Sequence, residues 1–349
     1  MPRFTEGSRR PLRVHVLVLR DCTPLVPVGI VEMLRKASEV AAGFPRARDR
    51  AVDVRLVSAG RTSTVTCAGG MRLRCDETIR SVRRSDLVVV PALDPDLLEH
   101  IAGNREVVPW LRRMYLARAD IASVCTGAFL LGEAGLLDGR AATTHWAFQE
   151  LLARRHPRTE VLPQAILVDQ GRVLTAGGAT SFLNLALHIV ERVFGSEVAR
   201  ASSKMFLIDV NKAPQGAYAM FSSQKLHEDR EILRAQSLIE RHPERAPRID
   251  RLAREVGMSA RTFARRFRQS TGNSPGEYIQ RVKVEAAKRA LESGERVSSV
   301  AGVAGYSDAA AFRRLFARLT GLTPADYRAR YGPSSAPATI VRRAAAQRP

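Results

Sequence analysis

Short apolar runs alternate with longer amphipathic stretches from Leu12 to about Phe194. The apolar runs are rich in Val, Ile and Leu without polar alternation, which is typical of strands buried on both faces. They cover residues 14–19, 52–58, 87–91, 121–124 and 173–176. Helical periodicity lies between and after them, at residues 29–42, 106–117, 146–155 and 181–194. Strand–helix alternation predicts an α/β sandwich with a mostly parallel sheet over residues 12–206.

After Phe194 the pattern becomes helical. A helix near residues 197–205 leads into residues 207–228, which contain Pro214 and Gly216, have no clear period and are interpreted as a linker. Residues 229–331 are predicted to form an all-α domain. Residues 332–349 are rich in Pro, Ser and Ala and are predicted to be a disordered tail.

The all-α segment contains an internal repeat of eleven positions. Five positions recur 48 residues later: Ile249, Leu252, Ala253, Val256 and Gly257 as Val297, Val300, Ala301, Ala304 and Gly305. Six recur 49 residues later: Phe263, Phe267, Thr271, Gly272, Pro275 and Tyr278 as Phe312, Phe316, Thr320, Gly321, Pro324 and Tyr327. Each copy predicts a short helix that ends at a glycine, then a second helix capped by Ser259 or by Ser307 or Asp308. This is the helix-turn-helix pattern.

The second helix of each copy carries a basic face. Arg261, Arg265 and Arg268, at i, i+4 and i+7, lie opposite Phe263 and Phe267. In the second copy, the residues opposite Phe312 and Phe316 are Ala310, Arg313, Arg314 and Ala317. A single basic face is more often simply solvated, but two matched copies favour contact with DNA phosphates and guanine edges. The candidate DNA-binding residues are Arg261, Ala264, Arg265, Arg268, Ala310, Arg313 and Arg314.

Residues 229–330 resemble the DNA-binding domain of the AraC/XylS family. The resemblance rests on the G-x-S/T-P-x-x-Y pieces at residues 272–278 and 321–327, and on the sequence AGYSD at residues 304–308. It implies two helix-turn-helix units joined by a long helix, at about residues 276–293. The two units would then enter successive major grooves of double-stranded DNA, about one helical turn apart.

In the first domain, Cys125 directly follows a predicted buried strand and opens a helix. Such a strand–nucleophile–helix turn exposes a thiol at the carboxyl edge of a sheet, where backbone N–H groups can stabilise an anion. His145 follows twenty residues later and offers a partner for the thiol. These pieces resemble the PfpI-type, class I glutamine-amidotransferase-like superfamily, and more closely the sensor half of AraC-type regulators. Residues 132–140, 174–178 and 186–191 extend the resemblance, which implies a flavodoxin-like fold.

Two departures from the enzymatic members favour binding over catalysis. The segment 25–28 lacks the carboxylate expected near the nucleophile, and Ala92 and Leu93 replace a glycine pair that often shapes the oxyanion hole. No catalytic residue is therefore assigned, with Cys125 and His145 kept as vestigial candidates. The predicted ligand-binding residues are Cys125, Thr126, Gly127, His145, Val26, Pro27, Ala92 and Gly178.

Charge and cysteine content add little to this picture. A net charge of +20 fits an anionic partner, although an excess of arginine also arises from genome composition. None of Cys22, Cys67, Cys75 and Cys125 has zinc-ligand spacing, so no metal or cofactor is expected and a reducing cytoplasm fits. We interpret Cys22, Cys67 and Cys75 as structural cysteines with no shared site. No apolar stretch approaches the length of a membrane span.

These features predict a transcription regulator, and the family resemblance favours an activator. Its expected partners are a small effector of the nitrogen-containing metabolite class, a second copy in a homodimer, and RNA polymerase. One alternative is a cysteine-dependent amidase or hydratase-like enzyme with an appended DNA-binding domain. Another is an architectural DNA-binding protein that senses no ligand.

Overall fold

The computed structural model describes residues 10–93, 97–209, 213–221, 224–225, 227–246 and 248–333. The chain divides into two compact units, Met1–Gln215 and Gly216–Pro349. The first unit alternates strands and helices: β1 (Leu12–Val18), α1 (Leu25–Ala41), β2 (Val52–Ser58), β3 (Thr64–Thr66), β4 (Arg72–Arg74), β5 (Glu77–Thr78), β6 (Leu87–Val90), α2 (Leu97–Gly103), α3 (Val107–Leu116), β7 (Asp120–Val124), α4 (Ala128–Glu133), β8 (Ala141–Ala142), α5 (Gln149–Arg155), β9 (Glu160–Val161), β10 (Leu167–Asp169), β11 (Val173–Ala176), α6 (Phe182–Phe194) and α7 (Ser196–Met205).

The main sheet has the strand order β10-β11-β7-β6-β1-β2-β5. Strand β10 is antiparallel to β11, and the other neighbouring strands run parallel. Successive strand residues contribute to two apolar cores on opposite faces, as Leu17 and Val16 do on β1. This confirms the predicted α/β sandwich with a mostly parallel sheet. The carboxyl ends of parallel strands β1, β6 and β7 lie at one edge of the sheet.

Several element boundaries differ from the predictions. Helix α1 begins at Leu25 rather than Gly29, because Pro27 is tolerated in a first turn whose N–H groups need no intrahelical partner. The predicted helix at residues 146–155 is a 3-10 turn, Trp146–Phe148, followed by α5. The sequence pattern also missed the hairpin formed by β3 and β4, whose three-residue strands are too short to show a period.

The second unit is helical in all described elements. Helix α8 (Gln215–Tyr218) spans the border between the units, within the segment predicted to be a linker. It is followed by α9 (Arg230–Arg241), α10 (Ile249–Glu255), α11 (Ala260–Thr271), α12 (Pro275–Glu292), α13 (Val300–Val303), α14 (Ala309–Thr320) and α15 (Pro324–Tyr331). Residues 210–212, 222–223 and 226 of the predicted linker, and residues 334–349 of the predicted tail, lie outside the described residues.

Each repeat builds a helix-turn-helix unit of the same design. Helices α10 and α11 flank Gly257, and helices α13 and α14 flank Gly305; both glycines have the positive φ (69° and 70°) that favours glycine. Asp308 rather than Ser307 caps α14, accepting hydrogen bonds from the amides of Ala310 and Ala311. Helix α12 joins the two helix-turn-helix units, and a separate aromatic core lies under each of them.

Across the described residues, no helix combines the length and apolar content needed to cross a membrane.

Candidate functional site

Cys125 lies at a strained turn between β7 and α4, here called the elbow (residues 123–128). Its φ is 56°, in the left-handed region that a non-glycine residue enters at a cost of roughly 1–3 kcal/mol. A 3-10 turn, Cys125–Gly127, follows directly and leads into α4. This is the strand–turn–helix geometry of a nucleophile elbow, but Cys125 is only 7% exposed.

The residues after Cys125 hold the elbow against the end of β6. The Thr126 hydroxyl accepts a hydrogen bond from the Leu93 amide and donates one to the Leu93 carbonyl, both at 2.8 Å. A Cβ atom at Gly127 would lie 2.5 Å from the Pro91 carbonyl oxygen, so only glycine fits there without a shift. The Leu93 amide, in the pair that replaces the glycines often shaping an oxyanion hole, is therefore already bonded inside the protein.

The Cys125 thiol lies in an apolar environment. Val26 and Ala92 are buried in the same core cluster, and Pro27 is buried beside them in the first turn of α1. Burial raises the pKa of the Cys125 thiol to about 11, against the opposing effect of hydrogen bonds from Thr126. At neutral pH the group is thus a protonated thiol, which is a poor nucleophile.

His145 lies close to the elbow in sequence but has different partners. Its Nδ1 accepts a hydrogen bond from the Ala147 amide at 3.2 Å, which assigns the proton of the neutral ring to Nε2. Its ring contacts Trp146, with centroids 4.9 Å apart, and a Cβ at Gly178 would lie 3.3 Å from its Cδ2. Burial lowers the pKa of His145 and favours the neutral ring. Among the described residues, no hydrogen bond joins His145 to Cys125.

The link between the two segments is Thr144. Its hydroxyl donates to the Cys125 carbonyl oxygen at 2.8 Å, and its side chain is fully buried. The sequence pattern did not single out Thr144. A threonine next to a candidate site histidine belongs to no periodic pattern or motif of its own.

A cavity of about 490 Å³ lies elsewhere on the same sheet edge. It is formed by the ends of β1 and β2, the hairpin of β3 and β4, and the start of α3, with Arg20, Ser58, Arg61, Thr64 and Asn104 among its lining residues. None of the predicted ligand-binding residues lines it. The described residues also contain no group of three His, Cys, Asp or Glu side chains that could hold a metal ion.

The prediction that Cys22, Cys67 and Cys75 form no constellation was wrong for Cys22 and Cys67, whereas all three are buried in an apolar core. The loop after β1 and the hairpin that follows β2 bring the sulfur atoms of Cys22 and Cys67 to 3.8 Å, and Cys75 belongs to the same buried core cluster. All are free thiols. The contact comes from packing of segments 45 residues apart, so sequence spacing carried no sign of it.

The predicted DNA-binding face of α11 is open to solvent. Arg261, Ala264, Arg265 and Arg268 are all exposed. No ion pair engages these arginines within the part of the chain that the structure describes, although Arg265 contacts Gln269 at 3.3 Å. The neighbouring Arg266, by contrast, forms ion pairs with Asp229 and Glu231 at 2.7 and 2.9 Å. The helix therefore separates an internally paired arginine from three that remain available to a ligand.

Helix α14 presents a smaller version of this face. Arg313 and Arg314 are exposed and, among described residues, form no ion pair, whereas Ala310 is half-buried. On both helices the opposite side is anchored by two phenylalanines that are fully buried. The arginines are thus held on a rigid scaffold rather than on a loop.

Comparison with known proteins finds a family match in each part of the chain. Residues 31–192 match the DJ-1/PfpI family, and residues 252–330 match a helix-turn-helix domain. The HTH-type transcriptional regulator CdhR of Pseudomonas aeruginosa is 25% identical over 304 residues, covering 86% of this chain and 87% of its own length. The HTH-type transcriptional regulator GlxA of Rhizobium meliloti is 27% identical over 336 residues, covering 94% and 99%.

One enzyme also matches part of the chain. The isonitrile hydratase of Pseudomonas putida is 31% identical over 140 residues, covering 39% of this chain and 58% of the hydratase. The similarity to regulators therefore spans both units, whereas the similarity to this enzyme covers a smaller share of the chain.

Proposed function

We propose that this chain, which belongs to the AraC-type transcription regulators with an N-terminal DJ-1/PfpI domain, binds DNA in response to a small metabolite at the elbow. The single observation that carries the DNA-binding part is the pair of exposed arginine faces on α11 and α14. Arginines without an internal ion pair can contact phosphates or bond guanine bidentately in the major groove. The repeat supplies this face twice, so a bipartite operator follows.

The test is binding of the full-length protein to an operator duplex obtained by selection. The double variant Arg265→Ala/Arg314→Ala should lose most of its preference for the operator over a scrambled duplex. Arg251→Ala is the matched control, because Arg251 is exposed on α10 and pairs with Glu255 at 3.7 Å. Equal losses in the double variant and the control would contradict the proposal.

The proposed sensor site is built from the predicted residues around the elbow. A buried neutral thiol and a neutral imidazole suit an uncharged or weakly polar contact better than nucleophilic attack. The effector class we propose is a small nitrogen-containing metabolite. Screening such compounds by thermal unfolding should give ligands that stabilise the protein, and the Cys125→Ser variant should change that response while keeping DNA binding.

A hydratase or amidase activity is the second candidate, supported by the similarity to isonitrile hydratase. The buried thiol of Cys125 and the occupied Leu93 amide argue against it. We expect the purified protein to turn over neither isonitriles nor amides in a reaction that depends on Cys125. Any turnover should therefore be the same in the wild type and in Cys125→Ser. Turnover that depends on Cys125 would favour the enzyme.

Homodimer formation, activation of transcription and contact with RNA polymerase complete the proposal. Paired subunits would multiply operator affinity through effective concentration. Sedimentation of the protein at micromolar concentration should give the mass of a dimer, and a monomer that binds DNA with full affinity would contradict this part.

A further inference from the structure

We propose that Gln215 couples the elbow to the DNA-binding half of the chain. This inference rests on the proposed function and names the residue through which the two halves influence each other. Gln215 is the last residue of the first unit, and it lies in the segment predicted to be a linker without specific structure. Instead its side chain is only 2% exposed.

Three acceptors fix the side-chain amide of Gln215. Its Nε2 lies within hydrogen-bonding distance of the Ala165 carbonyl (2.7 Å), the Thr143 hydroxyl (2.9 Å) and the Thr144 carbonyl (3.0 Å), so its two N–H groups are shared among three acceptors. Because all three partners accept, the nitrogen and oxygen of the amide cannot be exchanged without losing these bonds. The backbone amide of Gln215 also donates to the Gln164 carbonyl at 3.2 Å.

Gly177 provides the space for this side chain. A Cβ atom at Gly177 would lie 2.3–2.6 Å from the amide atoms of Gln215. Any larger residue would push Gln215 out, so the sheet edge next to Gly178 is shaped to receive it. The end of the first unit is thereby fastened beside the predicted ligand-binding residues.

Two consecutive hydrogen bonds connect Gln215 to the elbow. Gln215 donates to the Thr144 carbonyl, and the Thr144 hydroxyl donates to the Cys125 carbonyl. Cys125 is in the strained left-handed conformation, so a change at the elbow would alter the carbonyl to which Thr144 is bonded. Hydrogen bonds in a buried network of low dielectric are strong and sensitive to the position of each member.

The residues that follow Gln215 are fastened within the second unit. The Tyr218 hydroxyl accepts a hydrogen bond from Arg330 at 3.1 Å, and Lys288 on α12 donates to the Ala219 carbonyl. The Phe221 ring packs edge-on against Tyr278 of α12, with centroids 5.1 Å apart. Only residues 216 and 217 separate Gln215 from the first of these anchors. Few unanchored residues therefore lie between Gln215 and the residues that contact α12, the helix that joins both helix-turn-helix units. A displacement of Gln215 would be transmitted along this short segment.

Linkage makes the coupling of two equilibria reciprocal, so operator binding should shift the conformational equilibrium of the elbow, and this can be measured without knowing the effector. The alkylation rate of the buried thiol follows that equilibrium, because the reagent reacts with Cys125 when the thiol becomes accessible. The probe is iodoacetamide, and the readout is the alkylation rate of Cys125 in the full-length protein, resolved by peptide mass spectrometry from the other cysteines. Saturation with the selected operator duplex should change this rate by about fivefold or more, the lower end of typical allosteric coupling. In Gln215→Leu the change should fall below about twofold on the same scale.

Two further variants control the experiment. Thr144→Val removes only the hydroxyl that reaches Cys125 and keeps the side-chain shape, so it should also abolish the change and serves if Gln215→Leu does not fold. Gln149→Leu removes a comparable bond, from Gln149 Nε2 to the Pro163 carbonyl at 2.9 Å, and should behave like the wild type.

The outcomes separate this inference from the proposed function. Failure to select any operator would contradict the proposed function, and the coupling with it. Specific operator binding with the same change in Cys125 alkylation in wild type, Gln215→Leu and Thr144→Val would overturn the coupling role alone. Specific binding that leaves Cys125 alkylation unchanged in the wild type would overturn it as well.

Discussion

The two helix-turn-helix units use the same scaffold to support different surfaces. In the first, the ring centroids of Phe263 and Phe267 lie 5.4 Å apart, and those of Phe267 and Tyr278 lie 5.2 Å apart. In the second, the equivalent distances involving Phe312, Phe316 and Tyr327 are 5.8 and 5.5 Å. The recurring aromatic positions therefore encode the core of each unit and carry no information about the DNA sequence it would bind.

The units differ in how the second helix is attached. In the first helix-turn-helix unit, Arg266 joins α11 to Asp229, the N-cap of α9, through two hydrogen bonds of 2.9 and 2.7 Å. The equivalent position in the second unit is Leu315, which is 5% exposed in an apolar core. One unit thus uses an ion pair where the other uses hydrophobic burial.

The turn glycines differ as well. A Cβ at Gly257 would meet no atom within 4 Å, whereas a Cβ at Gly305 would lie 2.1 Å from the backbone oxygen of Glu244. The turn at Gly305 is therefore packed against the backbone of Glu244, whereas the turn at Gly257 is open. Duplication therefore preserved the local backbone while the surroundings of each copy diverged.

The largest expected effect is at the packed turn. Gly257→Ala should cost about 1–2 kcal/mol, the price of a left-handed conformation for a residue with a Cβ. Gly305→Ala should cost about 4 kcal/mol or more, because the backbone contact adds to the same strain. Denaturant unfolding followed by helical circular dichroism measures both, and equal losses would show that the second turn can move away from Glu244.

Removing the buried leucine should have the next largest effect. Leu315→Ala leaves a cavity in the second core and should lower the free energy of unfolding by about 2–4 kcal/mol. The loss should be independent of pH, because no charge is involved. A loss under about 1 kcal/mol would mean that the site collapses around the smaller side chain.

The exposed arginines should affect binding rather than stability. Arg265→Ala and its equivalent Arg314→Ala should each cost about 1–3 kcal/mol of specific binding and relax base preference in a different half of the operator. Binding measured by fluorescence anisotropy against single-base operator variants would separate the halves. Uniform weakening on every duplex would instead make the residue a phosphate contact.

Removing the Arg266–Asp229 ion pair of the first helix-turn-helix unit should change the free energy of unfolding least, and the change should depend on pH. The hydrogen bond from Arg266 is the largest cause that lowers the pKa of Asp229 below its ordinary value. Its contribution to stability is therefore present above the unfolded pKa of about 3.9 and is lost as the pH falls through the lower folded pKa. Arg266→Ala should be less stable at neutral pH and should lose less further stability on acidification. Parallel acid-unfolding curves for wild type and variant would contradict this.

The sequence patterns predicted those strands, turns and helix faces that depend on residues close together in the chain. The strand at residues 173–176 matches β11, because a short run of β-branched and apolar residues buried in a parallel sheet leaves few alternatives. The strand at residues 52–58 matches β2, in which apolar residues alternate with Asp53 and Arg55. The repeat predicted the glycine turns and the basic faces, since caps, left-handed glycines and i, i+4 spacing are properties of single helices.

Contacts between distant segments were not predictable from one sequence. The bonds of Gln215 to Thr143 and Ala165 join residues 72 and 50 positions apart, and a single polar residue in an irregular segment has no periodic signal. The contact between Cys22 and Cys67, and the pairing of Arg266 with Asp229, depend in the same way on tertiary packing. The sequence located the elbow but not the network that surrounds it.

Selection of bound sequences from a random duplex pool by the full-length protein tests the central claim most directly. If both units contact DNA, the enriched sequences should contain two conserved halves centred about 10–11 base pairs apart, one helical turn. Repeating the selection with Arg314→Ala should erase base preference in one half and leave the other. An enriched motif with a single half, or binding that depends only on salt without enrichment, would contradict the account.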